Sequence, residues 1–131
     1  MTRRASLLLA AALVLAGCAA PPPPPAPPAG LSDVMERPAE RALFDGIRAY
    51  DDGSYEAAES ALRKALDLGL KSGRDQATAH KLLAFITCTS GRSGECESEF
   101  RAARQADPAF ALSRSEAGHP VWGPVYKATL P

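Results

Sequence analysis

From Pro38 onward, apolar and polar positions follow the period of a helix, and no stretch alternates for long with the period of a strand. Leu43, Ile47 and Tyr50 recur at helical spacing until Asp51-Asp52-Gly53 breaks the run, which predicts a first helix over Pro38 to Asp51. Pro38 suits its first turn, where a missing N–H costs nothing. Ser54 can cap a second helix running to about Leu68, with Ala58, Leu62, Ala65 and Leu66 on one face. Gly69 stops it. Ser72-Gly-Arg-Asp75 resembles a capping box, with Asp where Glu is usual, and opens a third helix. That helix carries Ala79, Leu82, Leu83 and Ile86 and ends near Ser90-Gly91. A fourth begins near Ser93, buries Cys96, Phe100 and Ala103, and ends at Ala106-Asp107-Pro108. The predicted fold class is all-α.

The four patterns are two copies of one. Gly46, Gly53, Tyr55, Ala58, Leu62 and Ala65 become Ala84, Gly91, Ser93, Cys96, Phe100 and Ala103 on a shift of 38 residues. This spacing resembles the tetratricopeptide repeat, in which small residues sit where two helices touch and a proline ends the unit. Helix axes approach to about 8 Å only where side chains are small, which gives Gly46, Ala84, Ala58 and Cys96 a shared task. The usual period is 34, so about four residues near Gly73 to Gln76 should lengthen the third helix or its approach loop. The first copy departs from the pattern: Asp45 holds a position where leucine is usual, and the unit ends in Leu70. Two repeats are fewer than the three a stable solenoid usually needs, so something must compensate.

A different pattern precedes Pro38. Met1-Thr-Arg-Arg4 is a short positive segment, and Ala5 to Ala16 is an apolar run of 12 residues. That run is shorter than the roughly 20 residues of a membrane span and fits a secretory signal. Leu15-Ala16-Gly17-Cys18 resembles the bacterial lipobox. The resemblance implies cleavage before Cys18, a diacylglyceryl thioether on its sulfur, and acylation of the new amine. Several acyl chains anchor stably where one does not. Ala19, rather than Asp, follows Cys18, which resembles the signal for export to the outer membrane. The stretch AAPPPPPAPPAG from Ala19 to Gly30 has no charge or aromatic group with which to fold. Proline pre-sets an extended form there, and positions 21–28 reach roughly 25 Å. Residues 1–17 are thus expected to be a lipoprotein signal peptide, 18–37 a lipidated tether, and 38–131 a helical domain.

This division changes the averages. The 46% hydrophobic fraction merges an export signal with an alanine-rich core, and seven of the 12 prolines belong to the tether. Removing residues 1–17 takes away Arg3 and Arg4 and leaves a net charge of about −2, which excludes nucleic-acid binding through a basic field. Cys88 and Cys96 remain after Cys18 is assigned to lipid. They lie on predicted antiparallel neighbours across a short turn, and beyond the inner membrane such a pair is expected to oxidise. Closing this loop would stabilise by about 2.5 kcal/mol. Two buried thiols packing as small apolar groups are the alternative.

No catalytic constellation stands out. His80 and His119 have no companion motif, and His80, beside Lys81, is expected to be solvated. There is no phosphate loop, H-E-x-x-H or G-x-S-x-G. The expectation is no enzyme, no metal, no cofactor and no small-molecule substrate. The tail is more distinctive. Ser113-Arg-Ser-Glu116 matches a capping box, and Gly118 to Tyr126 concentrates the only Trp with two Pro and two Gly. Trp122 and Tyr126 either fold back to cap the second repeat or form an exposed anchor for a partner.

The lipobox, the proline-rich spacer, LLAFITCTSGR, EFRAARQADPAF and GHPVWGPVY together resemble the small lipoproteins of type VI secretion called the TssQ family. The likeness covers roughly Arg41 to Lys127 and is most specific in Leu82–Arg92 and Gly118–Tyr126. It implies an accessory or assembly factor of a cell-envelope injection machine, tethered to the outer membrane and facing the periplasm. The expected partner is another envelope protein. In the repeat resemblance the first helices line the inner face, here Leu43, Ile47 and Tyr50, then Lys81 and Phe85. The same residues could instead form core between the repeats, and the double variant Tyr50→Ala, Phe85→Ala distinguishes the two by partner capture against loss of helix. A pilotin-like assembly lipoprotein and a structural spacer without a client are the competing functions.

Overall fold

The computed structural model describes Gly30 and residues 37–131. The expected signal peptide, the lipidation site Cys18 and nearly all of the tether lie outside the described residues. Six helices and no strand are present among the described residues: α1 Pro38–Asp51, α2 Tyr55–Asp67, α3 Gly73–Thr89, α4 Ser93–Ala106, α5 Arg114–Ala117 and α6 Trp122–Ala128. None is long and apolar enough to cross a membrane. The all-α expectation holds. α1 packs on α2, and α3 on α4, as antiparallel hairpins, and α2 and α1 in turn pack on α3.

The 38-residue repeat is visible atom by atom. Ala58, Leu62 and Ala65 are 0% exposed, and so are their matches Cys96, Phe100 and Ala103. Gly53 and Gly91 both have positive φ, 75° and 77°, where a side chain would be strained. The same pair of bonds closes each first helix. Gly53 N–H donates to the Tyr50 carbonyl at 3.0 Å and Ser54 N–H to Ala49 at 2.8 Å; Gly91 donates to Cys88 at 3.1 Å and Arg92 to Thr87 at 2.8 Å. This is the Schellman pattern, which satisfies carbonyls that the helix end leaves free. Gly46 lets the first hairpin close tightly, since a Cβ there would lie 2.8 Å from the Leu62 side chain.

Three of the four extra residues lengthen α3 at its start, giving it 17 residues against 14 in α1. Ser72 caps it, accepting from Asp75 N–H at 3.3 Å. A Cβ on Gly73 would lie 2.4 Å from the Ala106 carbonyl oxygen, so the added turn fits against the end of α4 only without a side chain. Cys88 and Cys96 are joined as a disulfide across the α3–α4 turn.

The chain then doubles back. Ser113 and Glu116 make the predicted capping box for α5. The Gly- and Pro-containing tail does not predict α6. Gly123 is required at its start, because a Cβ there would come 2.6 Å from the Ala117 carbonyl oxygen. Pro124 sits in its first turn, where it displaces no helical bond. α6 packs on α4, α5 and α3, so it closes the open side of the second hairpin.

Candidate partner-binding face

The first helices and the tail meet in a continuous row of rings. Tyr55 meets Tyr50 edge-on at 5.5 Å, and Tyr50 lies 6.5 Å from Phe85. Phe85 stacks on Trp122 at 4.2 Å, and Trp122 on His119 at 3.3 Å. A second branch runs inward from Phe85 to Phe100 and on to Tyr126 and Phe110. Such contacts add about 0.5–1.5 kcal/mol per pair beyond the area they bury.

Polar groups hold the tail in place. Trp122 Nε1–H donates to the Glu116 carbonyl at 2.8 Å, and Leu112 N–H donates to the Tyr126 hydroxyl at 3.2 Å. Lys81 donates to the Glu116 carboxylate at 2.8 Å and sits 5.8 Å from the Phe85 ring centre. Arg104 donates to the Thr129 carbonyl and lies 5.9 Å from the Tyr126 ring centre. Burial raises the Glu116 pKa, but hydrogen bonds from Lys81 and Ser113 outweigh it and hold the carboxyl below its usual range. Tyr50 is pushed up by burial and then by the nearby Tyr55, Asp51 and Glu116.

The seven residues expected to bind a partner are therefore in different situations. Phe85, Tyr126 and Leu43 are core, only 4%, 6% and 7% exposed. Ile47, Tyr50, Lys81 and Trp122 are half-buried. The tail thus follows the capping alternative, and Phe85 is covered by Trp122 rather than lining an open groove. Phe44 is exposed and lies three residues before Ile47, within a helical turn of it, although nothing in the apolar periodicity marks it as a site residue. His80 corrects an expectation. It is not solvated but half-buried, with Nδ1 2.6 Å from the Glu99 carboxylate of α4. His119 does bond locally, accepting from Val121 N–H at 3.2 Å.

No protein-family model, curated protein or solved structure matches the chain. The site's chemistry must be read from its own atoms. No group of three His, Cys, Asp or Glu among the described residues is arranged to hold a metal ion. Where the hairpins meet, Glu59 on α2 takes Arg92 at 2.6 Å and Arg63 at 2.8 Å. Arg63 continues to Glu95 at 3.2 Å and Glu99 at 3.6 Å. The hydrogen bond from Arg92, with that from Arg63 and against the effect of burial, lowers the Glu59 pKa to about 2. The network locks one hairpin to the next.

Proposed function

We propose that this chain is an outer-membrane-tethered helical lipoprotein that serves type VI secretion as an accessory or assembly factor. It acts by holding another envelope protein, from the periplasmic side. The observation that carries this reading is a contact between the two stretches most specific to the secretion-lipoprotein resemblance. Phe85, in Leu82–Arg92, stacks at 4.2 Å on Trp122, in Gly118–Tyr126. Two separated motifs that share one packed junction are explained together by a single unit, two hairpins with a built-in cap. Such a unit is rigid enough to present a surface at the end of a tether. The face left for a partner is the exposed side of α1, with Phe44 outermost and Ile47 and Tyr50 behind it. An aromatic anchor beside half-buried apolar groups is the usual centre of a binding patch.

The test is site-specific photo-crosslinking from position 44 of the full-length protein in cells. A type VI envelope component crosslinked from position 44, and absent from an exposed control position such as Lys127, is the expected result. No adduct from position 44, or the same adducts from both positions, would overturn the reading.

A further inference from the structure

The two ends of this stack of hairpins are finished differently. The α4 end is covered by α6, against which α5 packs in turn. The α1–α2 end carries no such cover among the described residues. It presents a groove of about 400 Å³ floored by Ala42, Ala57 and Ala61, with exposed Leu68 at one side. A terminal repeat normally turns a polar outer face to water; here Ser60 and Lys64 edge an alanine floor that stays open.

The repeat identifies what kind of surface this is. Arg41 and Asp45 border the groove, and a shift of 38 residues carries them onto Ala79 and Leu83. Both matches are fully buried in the core that the two hairpins share. The groove therefore uses the positions by which one hairpin stacks on another, with two of its side chains replaced by opposite charges. Among the described residues neither Arg41 nor Asp45 has a salt-bridge partner, whereas Glu59, Arg63, Arg92 and Glu95 all do.

We propose that the occupant of this groove is a second copy of the same chain, docked head to head about a two-fold axis. Arg41 and Asp45 are one helical turn apart on the same side of α1. Antiparallel pairing of two α1 helices sets Arg41 of each copy against Asp45 of the other, so the face complements itself, as a two-fold contact requires. Head-to-tail growth is blocked, since α6 covers the opposite end. Pro38 borders the groove, so both hairpins begin beside the junction, and the lipid tether of the proposed function would hold the two copies at one membrane. Confinement there raises the effective concentration of the copies. The proposal stands apart from the identity of any client.

Sedimentation of the full-length chain, extracted from membranes in detergent, tests it. The wild type is expected to be a dimer. R41D alone and D45R alone each place like charges together and should weaken association roughly tenfold or more. An equimolar mixture of the two variants should regain dimers, because each supplies the charges the other lacks. Both side chains lie at the surface, and unchanged helix content confirms that the variants fold. A wild type that stays monomeric, single variants that associate as tightly as wild type, or a mixture that fails to recover would each overturn it. A groove that serves a client protein instead would leave the purified chain monomeric.

Discussion

Truncating Trp122 to alanine removes the ring that closes the second hairpin. The variant loses the stack on Phe85 at 4.2 Å, the stack on His119 at 3.3 Å and the bond to the Glu116 carbonyl at 2.8 Å. Full burial would place the loss at about 3–5 kcal/mol. Trp122 is only half-buried, and water can replace the indole N–H at the freed carbonyl, so about 2–3 kcal/mol is the expected cost. For a domain of this size each kcal/mol moves Tm by about 4–8 °C, which predicts a fall of roughly 10–20 °C. Thermal unfolding followed by circular dichroism reads it directly. Val121→Ala is the control, because Val121 is exposed and its loss should stay within about 0.5 kcal/mol. A Trp122→Ala melt within about 3 °C of wild type would refute the capping argument, as would an equal shift in the control.

Three further outcomes follow from the hairpins themselves. Removing the bond between Cys88 and Cys96 with the double variant C88S/C96S should cost about 2.5 kcal/mol in denaturant unfolding, and a null effect would show that the short turn already confines the unfolded chain. Glu59 has a depressed pKa, so its stabilisation is complete above its ordinary value of 4.5 and is lost as pH falls toward about 2. Discounted for solvent screening, that acid-sensitive part is about 1–2 kcal/mol, and Glu59→Gln should flatten the stability profile across this window. Gly46→Val must displace Leu62, 2.8 Å from the added Cβ, and should destabilise by about 1–3 kcal/mol, measured by the same unfolding curves.

The helices were legible in the sequence because their signals are local. Gly53 and Gly91, the caps at Ser72 and Ser113, and the small residues Gly46, Ala58, Ala84 and Cys96 each specify a turn or a close approach within a few residues. What escaped depends on the register between elements. His80 reads as a surface residue beside Lys81 until α4 brings Glu99 to 2.6 Å. Phe85 reads as either groove-lining or core until the tail returns Trp122 over it. α6 was hidden because Gly123-Pro124 signals a break, whereas Gly123 is there to let the helix pass the Ala117 carbonyl. Asp45 is the reverse case. It looks like a flaw in the first repeat, but with Arg41 it borders the end that the tail leaves open.

Effector release through a type VI machine tests the proposed secretion role. Cells lacking this chain should release far less effector, with recovery by the wild-type gene and not by Cys18→Ser, which removes the expected lipid tether. Undiminished release in the deletion strain, or full recovery with the Cys18→Ser form, would contradict it.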